Sequence, residues 1–265
     1  MPNAPDGWQD DLTDFHEEIS NGNHPIDMAS FDKALENIAQ HSSALKDGRQ
    51  ILEIGCSSGL LLRRLLKTFP KAVVVGVDII EKTLGKLSKI LKQEGIFIPL
   101  LRFDITSCPL SENSYDVIVA LNVLEHIKDH KRALQEIYRI LKPGGIFVFE
   151  VPYGKELFDE YDRQLHHYRR YSDREIVQLL ENAGLRKVYF SHLGFLLYPF
   201  FWCVKKWRSR RTGAQKPISN SRLSRNLIAL SSGLIMRMIF QMELMLGRLV
   251  TYPYGIRCVG VFKKP

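Results

Sequence analysis

The sequence Glu-Ile-Gly-Cys-Ser-Ser-Gly at residues 53–59 lies at a junction between two kinds of segment. Residues 50–54 form a short apolar run, which predicts a buried strand, and residues 60–68 predict a helix that stops before Pro70. Gly55 allows a tight turn and lets a ligand lie against bare backbone, while the helix start offers unpaired N–H groups. The glycine spacing is GxxxG rather than the GxGxxG of dinucleotide sites, which argues against a nicotinamide enzyme.

Strands and helices alternate on both sides of this turn. Their β–α–β order predicts an α/β fold with a parallel sheet and crossover helices. The last strand comes about sixty residues after the one before it, too far for a hairpin loop, and we expect these two to pair antiparallel. The predicted strands are 50–54, 72–77, 97–103, 115–121, 146–151, 187–192 and 255–262. The predicted helices are 28–41, 60–68, 82–93, 130–141 and 172–184, the last with Ser172 as its N-cap.

This order of elements divides the chain into three parts. Residues 1–48 are expected to form an N-terminal helical cap. Residues 49–193 form the core, which residues 253–265 complete with the last strand. Residues 194–252 are a largely helical insertion placed before that strand.

Two aspartates follow later strands of the core. Asp78 ends the second strand, 19 residues after Gly59, where a carboxylate can accept both hydroxyls of a ribose. Asp104 ends the third strand. Because ligands of open α/β sheets bind at the carboxyl ends of the strands, we expect both acids beside the glycine turn. Turn glycines with capping aspartates are the alternative interpretation.

Together these motifs resemble those of class I S-adenosylmethionine (SAM)-dependent methyltransferases. The resemblance extends to the segment Leu-Asn-Val-Leu-Glu-His-Ile at 121–127 and the turn Leu-Lys-Pro-Gly-Gly at 141–145, and it covers about residues 49–193. It implies a Rossmann-like, mostly parallel seven-stranded sheet with an antiparallel last strand. It also implies SAM as cofactor and S-adenosylhomocysteine as product.

The resemblance also assigns residues to the parts of the cofactor. Ser57 is a departure, since many relatives carry glycine there, and serine is small enough for the loop to tolerate. The residues that would bind the cofactor are Glu53, Gly55, Cys56 and Gly59 at the methionine end with Asn122 nearby, Asp78 at the ribose, and Ile79, Asp104 and Ile105 at the adenine.

Methyl transfer to a hydroxyl requires a base, and two histidines are candidates. His126 follows the fourth strand, and His167 begins His-Tyr-Arg-Arg-Tyr-Ser at 167–172. The latter resembles a His-x-Arg-Arg-Tyr-Ser pattern in a methyltransferase subgroup associated with glycan or cell-envelope modification. That resemblance, with the charge of the arginines, makes Arg169, Arg170 and Tyr171 candidate acceptor-binding residues. The alternative is a helix start whose charges satisfy the loop. Paired metal-binding carboxylates are not evident, so we expect no metal.

The net charge of +8 is unevenly distributed. Residues 182–265 hold 15 of the 37 lysines and arginines but a single acidic residue, Glu243, so they carry +14 and residues 1–181 carry −6. Such asymmetry indicates attraction to a membrane surface or a nucleic acid, with a solvated basic face as the alternative.

Within the insertion, the apolar, aromatic run 194–204 leads into a basic cluster at 205–211, the composition of an interfacial anchor. Residues 227–250 are long enough to span a bilayer, but polar residues interrupt them, and Gly233, Arg237 and Gln241 form a narrow polar stripe. This helix is expected to lie in a membrane interface, or else to be a lid, a homodimer contact or an ordinary buried amphipathic helix.

These observations predict a cytoplasmic, peripherally membrane-associated methyltransferase. The N-terminus lacks the order of a signal peptide, and the four cysteines lack metal-ligand spacing, so free thiols in a reducing compartment are expected. The predicted acceptor is a hydroxyl of a lipid-linked glycan or of an isoprenoid or phenolic small molecule. An RNA methyltransferase that uses the basic tail and a non-catalytic SAM-binding partner protein are the alternatives.

Overall fold

A computed structural model describes residues 24–42, 48–211 and 234–265, and within it seven strands form one sheet in the order β3-β2-β1-β4-β5-β7-β6. The neighbours from β3 to β5 pair parallel, whereas β7 runs antiparallel to both β5 and β6. This confirms the predicted mixed sheet. The strands are β1 Gln50–Ile54, β2 Val73–Asp78, β3 Leu100–Arg102, β4 Tyr115–Leu121, β5 Leu141–Pro152, β6 Arg186–Leu193 and β7 Arg257–Lys263.

Helices cover both faces of the sheet because successive side chains of the inner strands are apolar on both sides. In β1, for example, Ile51 faces one layer and Leu52 the other, and both are fully buried. One layer is built by α1 to α3 and the other mainly by α4 and α6. The described helices are α1 Pro25–His41, α2 Leu60–Thr68, α3 Glu81–Gln93, α4 His130–Ile140, α5 Glu160–Gln164, α6 Asp173–Asn182, α7 Tyr198–Arg211 and α8 Leu234–Leu246.

The strand order positions the site. After β3 the chain crosses back to place β4 beside β1, so α2 and α4 leave these two neighbouring strands toward opposite faces. The divergence opens a crevice at the carboxyl ends of β1 and β4, the usual place for a ligand in such a sheet. The glycine turn, Asp78 and the segment after β4 therefore face one another.

Several element boundaries differ from the predictions. Helix α1 begins at Pro25 rather than at 28, since proline suits the first turn of a helix. The predicted strand 97–103 shortens to β3, which pairs with β2 over three residues only. Strand β5 extends beyond 146–151 at both ends, because Leu141 pairs with β4 and Pro152 pairs with β7. Ser172 does precede α6, but its side chain makes no capping hydrogen bond.

Two charged residues of the predicted insertion are tied to the core. Lys205 of α7 is buried, and its Nζ lies 2.7 Å from Oδ1 of Asp159 and 2.9 Å from Oδ2 of Asp162. Glu243 of α8 is buried too, and it accepts hydrogen bonds from the N–H groups of residues 194–196. The prediction that Lys205 belongs to an exposed basic cluster is therefore wrong.

Helix α8 presents its wide apolar side outward. It packs on α1 through the buried Phe240, and Gln241 of the predicted polar stripe donates to Asp32 of α1 at 3.3 Å. These residues therefore do not form an ordinary amphipathic helix with its apolar face buried. Residues 227–233, also predicted as helix, lie outside the described part of the chain. No helix in that described part is long and apolar enough to span a membrane. The exposed large apolar side chains of α8 and of the residues just after it are Leu234, Ile235, Met238, Met242, Met245, Leu246, Leu249 and Val250.

Candidate active site

The turn after β1 has two glycines that no other residue could replace without strain. Gly55 has φ +75° and Gly59 has φ +73°, the left-handed region. A Cβ on Gly55 would lie 2.6 Å from Cγ2 of Val123, and one on Gly59 would lie 2.4 Å from Cδ1 of Leu87. Gly55 is exposed and leaves bare backbone at the turn, whereas Gly59 is buried. The first N–H groups of α2 have no acceptor within the helix.

Asp78 is linked to this turn. Its Oδ2 accepts from the N–H of Ser57 at 2.9 Å, and its Oδ1 accepts from the N–H of Ile80 at 3.0 Å. Burial raises the pKa of Asp78, although these backbone hydrogen bonds oppose the rise. Because each carboxylate oxygen can accept two hydrogen bonds, one acceptor position remains on each for a pair of ligand hydroxyls.

Glu53 supplies a buried acceptor near Asp78. Its Oε2 has no hydrogen-bond partner among the described residues. Burial and, next, the neighbouring Asp78 raise the pKa of Glu53 well above its ordinary value. A buried acceptor of this kind is costly unless a donor reaches it. A cationic ligand such as the ammonium group of a methionine moiety would meet that need, so these residues fit the predicted cofactor.

Cys56 holds the turn through its backbone, and its role in cofactor binding stays a prediction. Its thiol is buried in the core near Gly76, where burial raises its pKa, and its N–H donates to the carbonyl of Val77 at 3.0 Å. Its carbonyl accepts from the N–H of Gly59 at 2.7 Å.

The residues predicted to bind the adenine lie in the loops after β2 and β3. Ile79 is half-buried, and Ile105 is buried in the core. Asp104 caps a 3₁₀ turn, accepting from the N–H of Thr106 at 2.8 Å, and so lies two residues beyond the end of β3. An adenine-binding role for these three residues stays a prediction.

Asn122 directly follows β4 in a strained conformation, with φ +53°. Its Nδ2 donates to Oε1 of Glu150 at 3.0 Å, and its N–H donates to the carbonyl of the same residue at 2.9 Å. Glu150 lies opposite the end of β4 in the sheet register and also accepts from Arg257 at 2.7 Å. The sequence interpretation missed Glu150, because its position depends on the pairing of β4 with β5.

Two histidines from distant parts of the sequence meet at this edge. His126 ends the 3₁₀ turn Leu124–His126 after β4. Its ring meets that of His167 edge-on, with the centroids 4.6 Å apart. The main chain brings them together, because the N–H of Tyr168 donates to the carbonyl of Glu125 at 2.8 Å.

Asp162 of α5 orients His167. The two are 3.1 Å apart, from Oδ1 to Nδ1, and Oδ1 also accepts from Nε of Arg170 at 2.8 Å. Burial disfavours the charged carboxylate, but the hydrogen bonds from His167 and Arg170 outweigh it and hold the pKa of Asp162 well below its ordinary value. An ionised carboxylate only accepts, so Nδ1 carries the proton and Nε2 of the neutral ring keeps its lone pair. Burial lowers the pKa of His167, although Asp162 opposes this.

Residues 52–149 match the model of a family described as "Methyltransferase domain". These residues form a class I, SAM-dependent methyltransferase domain. The match includes the glycine turn, Asp78, Asp104 and the segment through His126.

Three known proteins show how far the likeness extends. The chain is 32% identical to a sterol 24-C-methyltransferase of Gibberella zeae over 44% of this chain and 32% of that protein. It is 26% identical to a ubiquinone biosynthesis O-methyltransferase of Coxiella burnetii over 52% of this chain and 64% of that protein. The structure of phosphoethanolamine N-methyltransferase 2 of Haemonchus contortus in complex with S-adenosyl-L-methionine has a TM-score of 0.62 at 18% identity, covering 99% of this chain and 61% of that one.

The matched region spans less than two thirds of each of these proteins. At 18% identity the structural likeness shows the fold. The cofactor of the methyltransferase domain is SAM. The roles of the individual binding residues named above stay predictions.

The residues predicted to bind the acceptor have other partners in the methyltransferase domain. Arg169 donates to two backbone carbonyls in the loop 127–128, at 2.6 and 2.9 Å. Arg170 is buried, with its guanidinium against Asp162. Tyr171 is fully buried, and its hydroxyl donates to a backbone carbonyl at 3.1 Å. In this arrangement the three side chains hold the segments that carry the histidine pair, and an acceptor-binding role for them stays a prediction.

Glu125 is a second residue of this site that the sequence interpretation missed. It is fully buried, and neither of its carboxylate oxygens has a hydrogen-bond partner among the described residues. Burial raises its pKa to about 8, so the carboxyl is largely protonated at neutral pH. The available signal was an acid within the apolar segment 121–127. Glu125, His126 and His167 offer ligand atoms within 4.8 Å of one another, and the expectation of a metal-free site stays a prediction.

We expect Glu125→Gln to stabilise the fold at about pH 8 and hardly at all at about pH 4.5. The folded state keeps a proton that the unfolded chain releases above the ordinary pKa of 4.5. Wild-type stability should therefore fall by up to about 1.4 kcal/mol per pH unit across this range. Glutamine has no proton to lose, so the variant escapes this fall. Thermal unfolding across this pH range measures it, with the exposed Glu112→Gln as control. A stability difference that is equal at both ends of the range would contradict the raised pKa.

Proposed function

We propose that this protein transfers the methyl group of SAM to a hydroxyl of an amphiphilic acceptor, a lipid-linked glycan or an isoprenoid-type phenol, at a membrane surface. The observation that carries the transfer chemistry is the His126–His167 pair at the same sheet edge as Glu53 and Asp78. The membrane part rests on the outward apolar side of α8.

SAM supplies an activated sulfonium methyl group, so the protein has to align the acceptor oxygen and remove its proton. His167 suits the second task. Its Nδ1–H is held by Asp162, which leaves the Nε2 lone pair to accept the hydroxyl proton. Its lowered pKa keeps the ring neutral at physiological pH, the form that a base requires. Asp162 then stabilises the imidazolium that forms.

His126 contacts the ring of His167. Its ring meets His167 edge-on, and it belongs to the same turn as the buried Glu125. A second ring at this distance limits the rotation of the first and helps to exclude water from it. We propose His167 as the base and His126 as a positioning residue.

The outward side of α8 favours an amphiphilic acceptor. Leu234 and Ile235 are each 75% exposed, and Met238 and Met245 repeat at helical spacing along the same helix. A contiguous apolar surface of this kind is uncommon on a monomer that meets only water. The region 182–265 also carries +14, which favours an anionic surface. The names of two relatives, a sterol and a ubiquinone biosynthesis methyltransferase, refer to compounds of the lipid class.

Flotation with anionic vesicles tests the membrane part. We expect the protein to float with them and the double variant Met238→Glu/Met245→Glu to lose at least about tenfold in bound fraction, since each methionine contributes roughly 1.5–3 kcal/mol when fully buried. Phe97→Glu is the matched control, because Phe97 is 81% exposed in the loop before β3, far from α8 in the sequence. Binding that is equal in the wild type and the double variant would contradict the proposal.

The same vesicles, prepared with a lipid extract, test the acceptor. Methyl-labelled SAM should transfer label into the organic-solvent phase, and less of it with the double variant. Label in added RNA, together with salt-sensitive RNA binding, would instead support an RNA acceptor. SAM binding without transfer to either would support a non-catalytic partner.

A further inference from the structure

A second cluster of chemically active side chains lies at the far edge of the sheet. Within the described residues, Asp173, His192 and Cys258 each offer one ligand atom, and these atoms lie within 4.8 Å of one another. His192 and Cys258 are direct cross-strand partners on β6 and β7, and Asp173 is the first residue of α6. Three separate elements thus bring a nitrogen, a sulfur and an oxygen to one point.

The hydrogen bonds of His192 require a positive charge, a proton or a metal ion, between its ring and Asp173. Its Nδ1 lies 2.8 Å from the carbonyl oxygen of Tyr252, which only accepts, so Nδ1 carries a proton. Its Nε2 lies 2.9 Å from Oδ1 of Asp173, and a carboxylate also only accepts. At this distance a second proton must therefore lie between Nε2 and the carboxylate, and a metal ion can replace that proton once the carboxylate moves outward.

The hydrogen bond at Nδ1 of His192 is of the kind that metal-binding histidines make. Metal-binding histidines commonly donate their second N–H to a carbonyl, which fixes the tautomer and the direction of the free nitrogen. Here the carbonyl of Tyr252 plays that part. The ring of Tyr153 meets His192 edge-on at 4.7 Å between centroids and restricts its rotation.

The donor set and its burial indicate which metal. Cys258 is fully buried and His192 nearly so, whereas the side chain of Asp173 is 43% exposed. Cys258 Sγ lies 3.7 Å from Oδ1 of Asp173. Thiolate, imidazole and carboxylate together suit zinc rather than magnesium or calcium, which prefer all-oxygen sites. The exposed carboxylate can move outward to admit the ion, and a water can take the fourth position.

We propose that Asp173, His192 and Cys258 bind one zinc ion. On binding, the proton of the Cys258 thiol and any proton on Nε2 pass to solvent, and the Sγ thiolate, Nε2 and a carboxylate oxygen bind the ion. The site joins the two ends of the segment between β6 and β7, since His192 and Cys258 each lie next to a strand end bordering it. The ion would therefore clamp the base of that segment to α6, independently of the methyl acceptor.

Titration of the chelator-treated full chain with Co²⁺ tests the site. We expect one Co²⁺ per chain, a thiolate-to-cobalt charge-transfer band in the near ultraviolet, and loss of the band when Zn²⁺ is added. Cys258→Ser should abolish the band. Asp173→Asn should weaken binding at least about tenfold, as losses around a metal site commonly do. Cys203→Ser is the matched control, since Cys203 is an exposed cysteine on α7.

Three results would overturn the proposal. The first is no charge-transfer band at saturating Co²⁺. The second is a band that survives Cys258→Ser. The third is that Co²⁺ binds the wild type without a charge-transfer band and no longer binds the His167→Ala variant. This would place the ion at Glu125, His126 and His167. Because Cys258 is buried, circular dichroism must show that its variant is folded. If the Cys258 variant is not folded, Asp173→Asn decides, because the side chain of Asp173 is exposed. Unchanged Co²⁺ affinity in that variant also refutes the site.

Discussion

Asp78→Asn is expected to weaken SAM binding by at least about 100-fold, because hydrogen bonds to a charged group contribute about 1.5–3 kcal/mol each. The carboxylate already accepts from Ser57 and Ile80. An asparagine amide has a single acceptor oxygen and turns a donor toward one of these partners, so it cannot also accept two ribose hydroxyls. Isothermal titration with SAM and with S-adenosylhomocysteine measures the loss.

Asp116→Asn is the matched control for this variant. Asp116 is also a buried acid with backbone and cationic partners, but it lies at the start of β4, at the end of the sheet opposite to the glycine turn. It should lower stability and leave SAM affinity within about threefold, since distant sites act independently. A folded Asp78→Asn protein with wild-type affinity would show that the acid holds the turn and not the cofactor.

His167→Ala is expected to lower kcat by about 10²–10⁴, the usual contribution of a general base, and to leave SAM affinity nearly unchanged. His166→Ala is the matched control, because His166 is the exposed neighbour of His167 in the same segment. Label transferred to the organic phase is the assay. A His167→Ala protein that retains more than about half of the rate would exclude the base role.

The pH profile distinguishes a base from a merely structural histidine. Because burial lowers the pKa of His167, the ring stays neutral somewhat below its ordinary value of 6.5. The acid limb of kcat should therefore have its midpoint below that value and disappear in His167→Ala. A limb that persists unchanged in this variant would assign it to another group.

The site was predictable from sequence to the extent that its parts are local. Gly55 and Gly59 follow from the turn they occupy, and Asp78 from its position at the end of a β-branched run. Strands β1 and β4 and helix α2 have the predicted bounds, because each is a short apolar or amphipathic run with polar or glycine residues at its ends.

Residues whose roles depend on distant partners were not predictable in this way. Glu150 reaches Asn122 only through the pairing of β4 with β5, and Lys205 looked like one member of a basic cluster until α7 placed it on Asp162. Arg170 and Tyr171 matched a motif, yet both are buried, with Arg170 against Asp162 and the Tyr171 hydroxyl on the carbonyl of Leu124. In each case the sequence shows the charge or the hydroxyl but not its partner.

The order of strands and helices, the glycine turn and the acids at the strand ends were determined by sequence alone, because steric limits and hydrophobic periodicity act between near neighbours. Tertiary structure alone decided that His126 meets His167, that Glu125 is fully buried, and that Asp173, His192 and Cys258 converge. These outcomes depend on which strands pair and which surfaces lose water. Both are properties of the whole packed chain, and no local segment carries them.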